Sequence, residues 1–186
     1  QTVATVRQPP SLPPLDERCR PPLPDPGPLP PGHRLPYDRN PLFTGREEEL
    51  RAIARAVLYA PAALPAVIST GIGGVGKTQL AVEFAYRYGR YFHGAHWVSL
   101  ADPNPDVIAA EMVACGLAMG LWPPEQDAAL TTGEKLDRIR RTWAGPEPRL
   151  VIFDNCEDRA LLEEWRPRGG GARALVTSRD DTWPAG

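Results

Sequence analysis

From Leu42 onward, apolar residues recur in two alternating patterns, one at helical spacing and one in short continuous runs, which predicts helices and strands in turn. Leu50, Ile53, Ala54 and Val57 form one stripe of a helix over about 46–58, with Thr44 and Glu47 at capping-box spacing ahead of it. The run 66–70 is β-branched and bounded by Pro65 and Gly71, so it reads as a buried strand. Leu80, Ala81, Phe84 and Tyr88 then mark a helix over about 77–90. A strand at 95–100 follows, and a helix over about 105–119 is entered through Asp102-Pro103-Asn104-Pro105. Pro123-Pro124 and their surroundings read as a loop. Thr131 and Glu134 open a second capping box before a helix at about 132–143. The run 149–154 is the most apolar strand and ends in Asp154. A helix over about 158–165 leads through Gly169-Gly170-Gly171 to a last strand at 172–178.

Strands separated by helices imply parallel pairing and an α/β sheet covered on both faces. In such sheets ligands bind beyond the carboxyl ends of the strands, which here fall near residues 71, 101, 155 and 179. Residues 1–36 differ in kind, since they hold 12 of the 23 prolines. Residues 1–41 are therefore expected to be an extended proline-rich linker or arm, and 42–186 the folded domain. A docking peptide for an aromatic groove is the other reading of the arm, because Pro10, Pro13 and Pro14 give PxxP-like spacing.

Net charge is −2, so wholesale attraction to nucleic acid or an acidic membrane is not expected. The three scattered cysteines make no disulfide framework and no paired metal-ligand spacing, which suits a reducing, cytoplasmic setting. The apolar stretch 52–68 is broken by Arg55, Pro61 and Pro65, so no membrane span is expected. Lysine occurs only at positions 77 and 135 among 21 basic residues, which draws attention to each.

Behind the first strand stands Gly71-Ile72-Gly73-Gly74-Val75-Gly76-Lys77-Thr78, a match to G-x-x-x-x-G-K-[ST] in a strand, loop and helix context. Glycines allow successive N–H groups to converge on phosphate oxygens, and the helix beginning near Lys77 adds its positive end. The Lys77 ammonium can reach the β- and γ-phosphates and the Thr78 hydroxyl can ligate Mg²⁺. Asp154, at the end of an apolar strand, is the expected second metal-side residue. Asn155 cannot act as a base, while Glu157 or Asp158 serves either to polarise water or only to cap the next helix, so slow turnover is expected. Arg179 closes another strand, either to sense a γ-phosphate or as a surface arginine. His93 and His96 make an H-x-x-H pair without neighbouring ligands and read as structural, and Arg138, Arg140 and Arg141 as a solvated helix face.

Phe43-Thr44-Gly45-Arg46-Glu47, the glycine-rich loop through Ala81, Leu150-Val151-Ile152-Phe153-Asp154-Asn155 and Thr177-Ser178-Arg179-Asp180 together resemble the NB-ARC nucleotide-binding domain of STAND-class signalling ATPases. The resemblance covers about 42–181. It implies a P-loop NTPase three-layer sandwich with a mainly parallel sheet. It further implies that Gly45 and Arg46 touch the adenine or ribose side, and that Gly71, Gly73, Gly74, Val75, Gly76, Lys77, Thr78 and Gln79 hold phosphates. Thr78 and Asp154 would hold Mg²⁺, and Arg179 would read the γ-phosphate, so Lys77, Asp154 and Arg179 form the expected catalytic set. Family members bind ATP or ADP as switches and oligomerise on exchange, with weak hydrolysis.

Family domains continue into a further strand, a helical domain and a winged helix, so this chain is expected to be a piece truncated before its last strand. An N-terminal effector and a C-terminal winged helix and repeat sensor are then the expected partners within the same polypeptide, with homo-oligomerisation on activation. The usual strand order 5-1-4-3-2 would leave the P-loop strand at an edge, for which the proline-rich arm is a candidate cover. No N-K-x-D or L-S-G-G-Q sequence occurs, which disfavours a GTPase and a transporter ATPase. The alternatives are a nucleotide-stabilised scaffold for protein interaction and a small-molecule kinase, which would need a phosphate-acceptor pocket and a lid, for which the arginine-bearing stretch 134–141 could be mistaken.

Overall fold

A computed structural model describes residues 22–59, the backbone of 66–68, and residues 76–180. Strands β1 (Ala66–Ile68), β2 (Ala95–Ser99), β3 (Arg149–Asp154) and β4 (Ala172–Thr177) pair in parallel in the order β1-β4-β3-β2. Helix α1 (Glu47–Tyr59) precedes β1, and α2 (Lys77–Tyr88), α3 (Pro105–Ala118), α4 (Thr132–Trp143) and α5 (Arg159–Trp165) run between the strands. The sheet is flanked on both sides. Leu150, Ile152 and Leu175 point to one face and pack with α1 and α2, while Val151, Phe153 and Val176 point to the other and pack with α3, α4 and α5. The period of two along each strand therefore places Asp154 and Thr177 on the α2 side. The architecture is the expected α/β three-layer sandwich, with β1 paired only to β4 among the described residues.

Local signals explain most boundaries. The box at Thr131 and Glu134 forms as expected: the Thr131 hydroxyl accepts from Glu134 N–H and the Glu134 carboxylate accepts from Thr131 N–H, at 3.3 and 2.8 Å. The earlier pair does not form a box. Gly45 adopts φ +78°, which turns the chain between Thr44 and the helix, and α1 starts from the carbonyl of Arg46, which accepts Leu50 N–H. The expected loop after Pro123 also differs, because Pro124–Ala129 wind into a 3₁₀ helix. Asp127 explains it: it accepts from Trp122 Nε1 at 2.7 Å and pairs with Lys135 at 2.9 Å. Lys135 is thus a structural lysine.

Of the proline-rich segment, residues 1–21 lie outside the described residues. Residues 22–41 run along α2 and the β2 edge, at the side of the sheet opposite β1. Leu23 is buried, Leu29 and Leu35 pack on the same core cluster, and Tyr37 meets Trp97 edge to face at 5.2 Å. Arg34 N–H donates to the Ala95 carbonyl, Trp97 N–H donates to the Arg34 carbonyl, and the Arg34 guanidinium reaches Glu111 of α3 at 2.7 Å. These bonds cap backbone groups that an edge strand would otherwise expose. The physical reason for this side is the buried carboxylate of Glu83 on α2. It binds Arg39 of the arm at 2.9 Å and Arg87 at 2.7 Å, and Arg87 in turn donates to the Pro24 carbonyl. Glu83→Ala is expected to cost about 1–3 kcal/mol and to expose residues 22–41 to protease. A digestion pattern and denaturation midpoint identical to the parent's would show that Glu83 does not hold the arm.

His96 is fully buried on the α4 side of β2, and neither ring nitrogen has a hydrogen-bond partner among the described residues. Burial, and then the charges of Arg149, His33 and Arg34, push its pKa down to about 3. The unfolded chain therefore takes up this proton first on acidification. The stability associated with the neutral ring is complete above about 6.5 and drains away as pH falls toward about 3. His96→Leu is expected to flatten that part of the stability profile; an unchanged slope in denaturation midpoints across the window would refute the assignment. Among the described residues no group of three or more His, Cys, Asp or Glu is arranged to hold a metal ion.

Candidate functional site

Helix α2 begins at Lys77 because Gly76 before it takes φ +104°, a left-handed conformation that side chains rarely adopt. A Cβ on Gly76 would also lie 2.7 Å from Nη1 of Arg46, so the Arg46 guanidinium packs directly on the entry to the helix. Gly45 and Arg46 are thereby brought to the phosphate end of α2. The Arg46 guanidinium also pairs with Glu49 at 3.2 Å.

Lys77 is only 7% exposed. No salt bridge among the described residues involves it, in contrast to Lys135. A cation buried at a helix's positive end, where the dipole already disfavours positive charge, calls for an anionic partner. Next to it, the Thr78 hydroxyl donates to Oδ1 of Asp154 at 3.1 Å. The same oxygen accepts from the Thr177 hydroxyl, which itself accepts from Asn155 N–H at 3.0 Å. Asp154 and Thr177 are 2% and 3% exposed. The pair Thr78 and Asp154 supplies a hydroxyl and a carboxylate side by side, the oxygen set that a hard divalent cation takes. Gln79 keeps Oε1 buried without a hydrogen-bond partner among the described residues.

Lys77, Thr78, Asn155, Thr177, Ser178 and Arg179 line one cleft of about 220 Å³ at the carboxyl ends of β3 and β4. Arg179 stands at its rim. Its side chain is 70% exposed, its N–H donates to Glu157 at 3.1 Å, and its Nε lies 3.5 Å from the same carboxylate. Glu157 is therefore occupied by Arg179, and Asp158 is the residue that caps α5, accepting Ala160 N–H at 2.8 Å. Gly71, Gly73, Gly74 and Val75 lie outside the described residues. A larger cavity of about 500 Å³ opens between the ends of α4 and α5, lined by Arg140, Trp143 and Trp165 among others. It holds none of the residues singled out for phosphate or metal, and Arg140 sits over the Trp165 ring at 5.8 Å. No residue of α4 lines the smaller cleft, so the stretch 134–141 is not placed over it as a kinase lid would be.

Two residues escaped the sequence reading. Thr177 was seen only as part of the Thr-Ser-Arg run, although its neighbour in the sheet is Asp154. Asn155 was dismissed as a base, although its φ of +59° marks it as the only non-glycine with a left-handed backbone among the described residues. Register could have found the first, since Phe153 pairs with Val176 and the next step sets Asp154 beside Thr177.

No helix among the described residues is long and apolar enough to cross a membrane. No protein-family model matches the chain. Among curated proteins it is 34% identical over 141 residues to the regulatory protein AfsR of Streptomyces griseus, covering 75% of this chain and 14% of that protein. It is 33% identical over 110 residues to the regulatory protein AfsR of Streptomyces coelicolor, covering 59% of this chain and 11% of that protein. The chain thus spans a small part of these relatives and is similar, over most of its own length, to one segment of large regulatory proteins.

Proposed function

We propose that this chain is the ATP- and ADP-binding switch module of a STAND-type, NB-ARC-like signalling ATPase, in which nucleotide exchange controls oligomerisation and hydrolysis is slow. The observation that carries the reading is the buried Lys77 at the leading end of α2, with no salt-bridge partner among the described residues and beside Thr78 and Asp154. Lys77 and the N–H groups of the first turn of α2 would bind phosphate oxygens. Thr78 and Asp154 would hold Mg²⁺, which when bound neutralises phosphate charge. Arg179 would exchange Glu157 for a γ-phosphate, the contact that distinguishes triphosphate from diphosphate. Among the described residues that line the cleft none is a carboxylate placed to activate water, and Glu157 is engaged with Arg179. That arrangement suits a protein that holds its nucleotide more than one that turns it over. The similarity to regulatory proteins agrees with a role in signalling.

The nucleotide that co-purifies is the direct test. Bound ADP that exchanges for ATP with a change in oligomeric state is the expected result. A tightly held nucleotide that never exchanges would favour a scaffold instead, and phosphate transfer to an added small molecule would favour a kinase. Protein that binds neither ATP nor ADP would end the proposal.

A further inference from the structure

The Thr177 hydroxyl has one proton and two neighbours. It accepts from Asn155 N–H at 3.0 Å, so its proton is free to go to the acceptor on its other side, Oδ1 of Asp154. That oxygen also receives the Thr78 hydroxyl. Two donors on one oxygen fix the carboxylate's rotation, and no donor among the described residues reaches Oδ2. All three side chains lie on the α2 face of the sheet, and Thr177 is nearly closed to solvent. A valine would fill the same volume on this strand at no desolvation cost, so a buried threonine here is explained by its two hydrogen bonds.

We infer that Thr177 is a positioning residue for the metal site: its hydroxyl and that of Thr78 both engage Oδ1 of Asp154, which leaves Oδ2 as the oxygen offered to the cation that accompanies the nucleotide. The inference rests on the nucleotide reading above. Partners behind a metal ligand are worth about 10–100-fold in metal affinity. Thr177 has a second duty, which is to accept the N–H of Asn155 and so hold that residue's left-handed turn. The experiment has to separate the two.

The measurement is ADP affinity with and without Mg²⁺, by calorimetry on the whole chain. In Thr177→Val the gain from Mg²⁺ is expected to fall about tenfold. Thr177→Ser is expected to restore it. The double variant Thr177→Val with Asn155→Gly, compared with Asn155→Gly alone, removes the need for a threonine to hold the turn, because glycine takes positive φ without strain. A loss of Mg²⁺ gain that persists in this pair supports the positioning role. A gain equal to the reference would overturn it and leave Thr177 as a turn anchor only. A parent protein whose ADP binding ignores Mg²⁺ would refute the metal assignment itself, an outcome distinct from failure of the variant.

Discussion

Lys77→Ala is expected to leave a folded protein that has lost ATP and ADP. The lysine makes a charge-assisted contact with phosphate, and removing such a contact costs about 2–3 kcal/mol, a hundredfold in Kd before any further loss of alignment. The unliganded fold should not suffer. Lys77 is buried, meets no carboxylate among the described residues, and sits at the helix end where a cation is disfavoured. Its removal relieves a desolvation cost, so the melting temperature without nucleotide is expected to equal or exceed the parent's, while the rise on adding nucleotide disappears. Calorimetry showing parental affinity would remove Lys77 from the site. A collapse of the unliganded fold would show that this lysine has a structural partner, as Lys135 has in Asp127.

What could be read from the sequence was local, or depended on one spacing. The box at Thr131 and Glu134 forms because both partners lie within one turn. The strand 149–154 was visible because it is covered on both faces, so its apolar run is unbroken. The cluster Lys77, Thr78 and Asp154 was visible because a motif names two of its members and a strand end the third. What remained hidden depends on contacts between distant segments. Leu23, Leu29 and Leu35 show no helical or strand period, and only the surface offered by α2 and β2 gives residues 22–41 a place. Glu83 reads as an ordinary solvated helix residue until Arg39 arrives from 44 positions away. Thr177 acquires its role only when register sets it beside Asp154, 23 positions earlier. In each case the chemistry is created by a pairing that no window of sequence contains.

The glycine triplet before β4 shows how far such pairings can divide residues that look alike. In the sequence Gly169, Gly170 and Gly171 are one flexible connector. In the fold they differ, because the loop after α4 passes directly beneath two of them. A Cβ on Gly170 would lie 2.3 Å from the Ala144 carbonyl oxygen, at a φ of +77°. One on Gly171 would lie 2.4 Å from the carbonyl oxygens of both Pro146 and Glu147, while Gly171 N–H donates to Gly145 at 2.7 Å. These obstacles are backbone atoms and cannot rotate away. Gly171→Ala must therefore separate two loops that lead into β3 and β4, the inner strands of the sheet. The expected cost is about 3 kcal/mol, or about 10 °C in melting temperature for a chain of this size, with Gly170→Ala similar. Gly169 has an ordinary φ and nothing within 4 Å of the position a Cβ would take. Gly169→Ala is then expected to be neutral or stabilising by up to about 1 kcal/mol, since alanine restricts the unfolded chain more than glycine does. Equal melting temperatures for the three variants would mean that the two loops are not in contact. In that case the cleft at the other end of β3 and β4 would rest on a less rigid sheet than the one described.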